Sequence, residues 1–271
     1  MNKVLISITT YLKNKALKDC IDSLIETDSL KDVSVLISDD GNGNAEEIYH
    51  HFYDNANTGL LPQYINYITH PRAGIWRQKN YCIQYFLEKT NCEYLLNLDD
   101  DLLILKSGFL ESLVSAIQNS KFQHMNTFLS DISCSLDPNK NSFFQDFPVI
   151  MATDDVIWCR GSQGIGTMYT REILEKVGYF DHFPGGYGYE HALFSARINR
   201  LQGYYPELFP MLRHSGKFLK SNTIPNAYTD HQIGIDLNGP YYYKQLKRVY
   251  QGYDLIEKDP SLDIQKKKKK K

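Results

Sequence analysis

No apolar run in the 271 residues reaches the roughly 20 residues that span a bilayer, so no membrane-crossing helix is expected. The opening Met1-Asn2-Lys3 with Val4-Leu5-Ile6-Ser7-Ile8 is too short, and too polar afterwards, for a signal peptide; it reads as a first strand. Cysteine is scarce and scattered, with five residues (Cys20, Cys82, Cys92, Cys134, Cys159) and no CxxC pair. That spacing argues against zinc and redox motifs, and a reducing cytoplasm is the expected location. A formal net charge of −2 leaves no nucleic-acid footprint. The charge balance breaks at one place, the six consecutive lysines Lys266 to Lys271. The bland reading is a disordered tail. The sharper one is peripheral contact with anionic lipid, at about 1 kcal/mol per lysine.

What is present is an alternating pattern. Apolar runs at Val4–Ile8, Val33–Ile37, Tyr64–Thr69 and Tyr94–Leu98 read as strands. Between them, Ala16–Glu26, Ala45–Tyr53 and Gly74–Lys89 carry apolar residues at helical spacing. Strand and helix in alternation predict an α/β fold with a mostly parallel sheet. Right-handed crossovers then bring the polar strand ends Thr9–Tyr11, Asp39–Asn44 and Asp99–Asp101 to one edge. Beyond residue 105 the pattern loosens. Helices are expected at Phe109–Ile117, Arg171–Val177, Glu190–Gln202 and Tyr241–Tyr253, with short strands and loops over 120–160 and a flexible aromatic loop, Gly185-Gly186-Tyr187-Gly188-Tyr189.

The chemistry concentrates at Asp99-Asp100-Asp101, three carboxylates closing a buried strand. Like charges in a row need positive compensation or water. Hard divalent cations, Mg²⁺ or Mn²⁺, prefer such oxygens. The bland alternative is a solvated acidic turn. Ser38-Asp39-Asp40-Gly41 is either a carboxylate set against a base or ribose, or an ordinary Asx turn. His70 to Asn80 gathers cations that could neutralise a diphosphate, or that form a solvated basic face. Glu190 and His191, after the glycine-rich loop, could deprotonate a hydroxyl, or Glu190 could simply cap its helix.

Taken in order, these segments resemble the family 2 glycosyltransferases with a GT-A fold. Asp39-Asp40-Gly41-Asn42 stands for the family's DDGS, Gly74 to Asn80 for its GxxxARN, and Asp99-Asp100-Asp101 for its DxD. Gly164–Glu172, Val177-Gly178-Tyr179-Phe180-Asp181 and Tyr189-Glu190-His191 with Arg197 and Gly203 complete the match, which runs from residue 3 to about 215. No single motif is specific; six in the right order and spacing are.

The resemblance implies a GT-A, Rossmann-like mixed sheet, mostly parallel, flanked by helices, with a helical C-terminal tail. It implies a domain over residues 1–215, with a nucleotide-binding half (1–105) and an acceptor half (106–215). A loop-and-helix extension (216–265) and the lysine tail (266–271) would follow. It implies a metal-dependent, inverting hexosyltransferase of polysaccharide biosynthesis. Such an enzyme takes a nucleotide sugar, first of all a UDP-sugar, and glycosylates a glycan or glycoconjugate hydroxyl. By position, Thr9, Thr10, Tyr11, Asp39, Asp40, Lys79, Asp99 and Asp100 would bind the nucleotide sugar, and Asp101 with His214 would hold Mn²⁺ or Mg²⁺. The family's base is usually an Asp where this chain has His191, preceded by Glu190, so both are candidates. A nucleotidyltransferase is the alternative enzyme, but its glycine-rich loop after the first strand is missing from Thr9-Thr10-Tyr11-Leu12-Lys13. A non-catalytic sugar-binding domain is the other alternative.

Overall fold

The computed structural model describes residues 3–27, 33–41, 43, 45–56, 65–72, 74–129, 148–162, 164–186, 188–222 and 228–252. Tyr187, residues 130–147 and the lysine run therefore lie outside the described residues.

The chain opens as β1 (Val4–Thr10), α1 (Asn14–Thr27), β2 (Val33–Asp39), α2 (Glu46–Ala56), β3 (Ile65–Thr69), α3 (Ile75–Lys89) and β4 (Tyr94–Asp99). These four strands pair in parallel in the order β3-β2-β1-β4. Both β1 and β2 are buried along their whole length, as expected of parallel strands covered on both faces. Alternate side chains divide between two cores. Val4, Ile6 and Ile8 meet Leu17, Ile21 and Leu24 of α1 on one face. Leu5 and Leu95 meet Ile83 and Phe86 of α3 on the other.

The second half adds β5 (Leu102–Ile104), α4 (Phe109–Ser120), β6 (His124–Asn126), β7 (Val149–Ala152), β8 (Val156–Cys159), β9 (Gly166–Thr170), α5 (Arg171–Val177), α6 (Glu190–Leu201), β10 (Phe209–Leu212), β11 (Leu219–Ser221) and α7 (Tyr228–Tyr250). The sheet continues β4-β9-β6-β10-β8-β7, with β9 antiparallel to β4 and β6, and β8 antiparallel to β10 and β7. The remaining strands run in one direction, so the mixed, mostly parallel sheet is as expected. A small ribbon, β5 with β11, stands apart.

Much of the motif pattern is architecture. Arg197, fully buried, donates to the Tyr179 carbonyl (2.7 Å), to the Val177 carbonyl and to Asp181 (3.2 Å). The Asn80 amide pairs with both backbone groups of Phe180, at 2.7 and 3.1 Å. These bonds tie α3, the turn after α5, and α6 into one block.

Two expectations differ. The last helix begins at Tyr228 rather than near Tyr241 and runs through Pro240. Proline and glycine inside it hide its period from a sequence reading. Its buried face, Tyr242, Leu246 and Val249, joins the core of α3, α5 and α6. The loop expected to be flexible is held at its described residues. Gly185 N–H donates to Asn238 of α7 (2.7 Å), Asn238 donates to the Gly188 carbonyl (3.0 Å), and the Gly186 carbonyl accepts from Ile75 N–H (2.9 Å).

Candidate active site

Strand pairing sets the site. Thr9 lies opposite Ser38 on one side and Asp99 on the other, and Thr10 lies opposite Asp39. The three polar strand ends therefore meet at one carboxyl edge, where open α/β sheets receive ligands.

The carboxylate turn is short of positive charge. Burial pushes the Asp99 carboxyl up to about 7, with Lys79 opposing and Asp101 and Asp100 adding to the rise. Burial likewise lifts Asp100 to about 6, against Lys13 and Thr10. Thr10 donates to Asp100 at 2.7 Å, and the Lys13 ammonium lies 3.1 Å from Asp101 and 3.5 Å from Asp100. The Thr9 hydroxyl, buried beside Asp99, has no hydrogen-bond partner among the described residues.

Both raised carboxyls bind protons more tightly in the folded than in the unfolded chain. Their contribution to stability is therefore greatest at low pH and falls as pH rises through about 4 to 7. Asp99→Asn, without ligand at pH 8, should be more stable than the wild type by roughly 1–2 kcal/mol, a melting shift of about 2–6 °C. The gain should shrink toward pH 4. A pH series of thermal melts checks this, and an equal or lower melting temperature at pH 8 contradicts it.

A second set faces the turn. The Lys79 ammonium, buried, donates to Glu190 Oε1 at 3.1 Å. Burial lowers its pKa, but Glu190 and then Asp99 more than offset this, and Lys79 is held well above its ordinary value. Burial raises Glu190, yet Lys79 and then the His191 contacts pull it well below the carboxylate range. Glu190 Oε2 accepts from Gly188 N–H at 3.0 Å. His191 is only partly buried. Its Nε2 lies 2.9 Å from the Ser162 carbonyl, and its Nδ1 lies 3.8 Å from Glu190 Oε1. A carbonyl only accepts, so Nε2 carries a proton toward Ser162. Gly164 packs against this ring with φ +70°; a Cβ there would come within 2.4 Å of Cγ and Nδ1.

The other expected residues divide. Asp39 does not face the edge as an open acceptor. It is fully buried, Oδ1 accepts from Gly41 N–H (2.7 Å), and Oδ2 accepts from Ala45 N–H (3.0 Å) and Tyr67 OH (2.8 Å). Asp40 holds the start of α3 through Gly74 N–H (2.9 Å) and Gln78 (3.0 Å). Tyr11, at the exposed lip, carries the Arg72 guanidinium 4.4 Å above its ring. The cations of 70–80 do not converge on one point. Lys79 points inward, Arg72 covers Tyr11, and His70 stacks on Tyr81 at 3.6 Å.

His214 borders a cavity that Asp101 does not border. With β9 and β6 between β4 and β10, the strand that precedes His214 lies roughly 14 Å from β4 at the usual spacing. His214 lines a separate cavity with Glu111, Asp155 and Lys217. Among the described residues, no group of three metal-ligating side chains forms.

One cavity of about 690 Å³ runs from Asp99 of the turn to the second set. Asp99 and Lys79 border it, as do Glu190, His191 and Ser162, and its outer wall carries Arg160, Tyr205, Glu207, Tyr242 and Tyr243.

Residues 5–178 match the family described as glycosyl transferase family 2. The chain belongs to that family. An uncharacterized glycosyltransferase of Acanthamoeba polyphaga mimivirus is 29% identical over 255 residues, covering 92% of this chain and 91% of its own. Among solved structures, the mannosyltransferase PcManGT of Pyrobaculum calidifontis, in complex with GDP-Man and Mn²⁺, superposes with a TM-score of 0.65 at 14% identity. It covers 91% of this chain, which spans 64% of that protein's length. TarS of S. aureus in complex with UDP-GlcNAc superposes with a TM-score of 0.61 at 14% identity, over 94% of this chain and 68% of its own. At such identity the likeness shows the GT-A fold.

Several residues of this glycosyltransferase's site have little sequence signal. Lys13 follows the first strand as one lysine among many. Ser162, Tyr205, Glu207 and Tyr243 lie in loops and on a helix face with no motif, and only the tertiary fold brings them to the cavity. No helix among the described residues is long and apolar enough to cross a membrane.

Proposed function

We propose that this glycosyltransferase moves a sugar from a nucleoside diphosphate sugar, a UDP-sugar by the family resemblance, to a hydroxyl of a glycan or glycoconjugate, with inversion. The observation that carries this is the single cavity bounded by the Asp99–Lys79 pair and by Glu190 with His191. Donor binding is supported by the orphaned Thr9 hydroxyl beside Asp99 and by the exposed Tyr11 with Arg72 above it. GDP-Man and UDP-GlcNAc in the two neighbours support a nucleotide sugar as donor.

Carboxylate oxygens suit a hard divalent cation, and at this turn Asp99 and Asp100 are raised by burial and by their acidic neighbours, offset mainly by Lys79 and Lys13. Asp101, beside the half-exposed and displaceable Lys13, would hold Mn²⁺ or Mg²⁺, without His214. Bound there, the ion would supply positive charge to the leaving diphosphate.

This chain's residues supply the rest. The acceptor oxygen forms a bond to the anomeric carbon as the bond from that carbon to the diphosphate oxygen breaks. The acceptor proton passes to His191 Nδ1. The imidazolium so formed sits opposite Glu190, 3.8 Å away, while Ser162 fixes the ring. Glu190 is the poorer base, because Lys79 stabilises its ionised form and it is buried. It positions and balances His191 instead.

Thermal melts with nucleoside diphosphates, nucleotide sugars and triphosphates, each with and without Mn²⁺, test the donor class. Binding at a hundred times Kd adds about 2.7 kcal/mol. A nucleotide sugar should raise the melting temperature, more so with Mn²⁺, and Asp101→Ala should lose the Mn²⁺-dependent part. A shift with triphosphates alone overturns the reading.

A further inference from the structure

The outer wall of the cavity is aromatic in a way that packing does not require. Tyr243 is 58% exposed and Tyr205 is 56% exposed, yet both border the cavity that holds His191. Helix α7 buries Tyr242, Leu246 and Val249, and Tyr243 stands beside that face. The base beneath it is firm. Tyr242 stacks on Tyr189 with centroids 4.8 Å apart, and Tyr243 meets Tyr242 edge-on at 5.1 Å. Across the opening, Tyr205 packs edge-on against Tyr250 at 5.6 Å, and Tyr250 OH donates to Glu207 at 2.7 Å. The exposed Arg160 completes the wall. Such a wall offers flat apolar faces together with one carboxylate and one guanidinium.

That combination selects among ligands. A pyranose presents C–H groups on its faces and hydroxyls round its edge. The C–H faces suit the negative faces of aromatic rings, and the hydroxyls suit a carboxylate acceptor and a guanidinium donor. A polyanionic ligand would meet Glu207, with Arg160 as its one cation among the wall residues named here. Tyr11 and Arg72, offered above as support for donor binding, do not border this cavity.

We propose that Tyr243 and Tyr205, with Glu207 and Arg160, form the acceptor subsite, which holds a neutral carbohydrate ring by stacking and presents its hydroxyl to His191. This rests on the transfer reading and adds the acceptor's class and its recognition residues.

The test uses the full chain and a panel of neutral disaccharides (lactose, chitobiose, mannobiose, cellobiose), with serine-containing peptides as the contrasting class. Saturation-transfer NMR reads binding, and steady-state kinetics reads transfer. The wild type should bind and glycosylate members of the disaccharide panel. Tyr243→Ala and Tyr205→Ala should each raise the acceptor KM about tenfold while the donor KM moves less than about threefold. Tyr243→Trp should restore the acceptor KM. Unchanged acceptor KM values in both alanine variants overturn the subsite, as does donor turnover with no disaccharide bound or with peptides alone as acceptors. Disaccharide binding that Tyr243→Ala abolishes, with no donor turned over, supports the subsite and removes the transfer reading instead.

Discussion

Replacing Lys79 with methionine is expected to destabilise the folded chain by about 3–5 kcal/mol, because it leaves Glu190 ionised and buried without its counter-charge. Glu190 would then keep the Gly188 amide and a 3.8 Å approach to His191 as its recorded partners. Asp99 would lose the cation that opposes its rise. Chemical denaturation at pH 7.5 reads the change. Two features separate this from a simple packing defect. The loss should shrink as pH falls, since a protonated Glu190 needs no partner. A Lys79→Met/Glu190→Gln double variant should also recover much of it, giving a coupling well above 1 kcal/mol. A single variant within about 1 kcal/mol of wild type would mean that the pair is not the buried counter-charge described.

His191→Ala should lower kcat by about 10²–10⁴-fold, the usual range for a general base. Added imidazole should restore part of that rate, because truncating the ring vacates its space and Gly164, with no Cβ, does not fill it. Glu190→Gln should also be slow, but imidazole should not rescue it, since the missing element is the charge facing His191 rather than the proton acceptor. The opposite pattern, near-normal kcat in His191→Ala and a collapse in Glu190→Gln, would make Glu190 the base.

These two expectations depend on residues that the sequence displayed unevenly. Repeated apolar runs with polar ends made the α/β half legible, because parallel strands buried on both faces have a composition that little else shares. Strand pairing then did what spacing suggested, setting Thr9 against Asp99 and Thr10 against Asp39. Roles were less legible than positions. Asp39 and Asp40 stand where a nucleotide-binding motif places them, but their carboxylates hold the chain's own backbone. A motif records that a carboxylate is needed, not which group it bonds. For His214 only the order along the chain was legible; two strands stand between β4 and the strand before it, and its side chain borders another cavity. The aromatic wall was illegible, since Tyr205 and Tyr243 lie on separate elements and carry no motif. Pro240 and its neighbouring glycines hid half of the helix that bears Tyr243.

The most direct test of the central claim, one in-line displacement at the anomeric carbon with His191 taking the proton, is the configuration of the sugar at the moment of release. Proton NMR, recorded before mutarotation, can follow hydrolysis of an α-linked nucleotide sugar with water as acceptor. The expected product is the β-anomer, formed together with the nucleoside diphosphate and slowed in His191→Ala. Release of the α-anomer, or of a nucleoside monophosphate with a sugar phosphate, would contradict it.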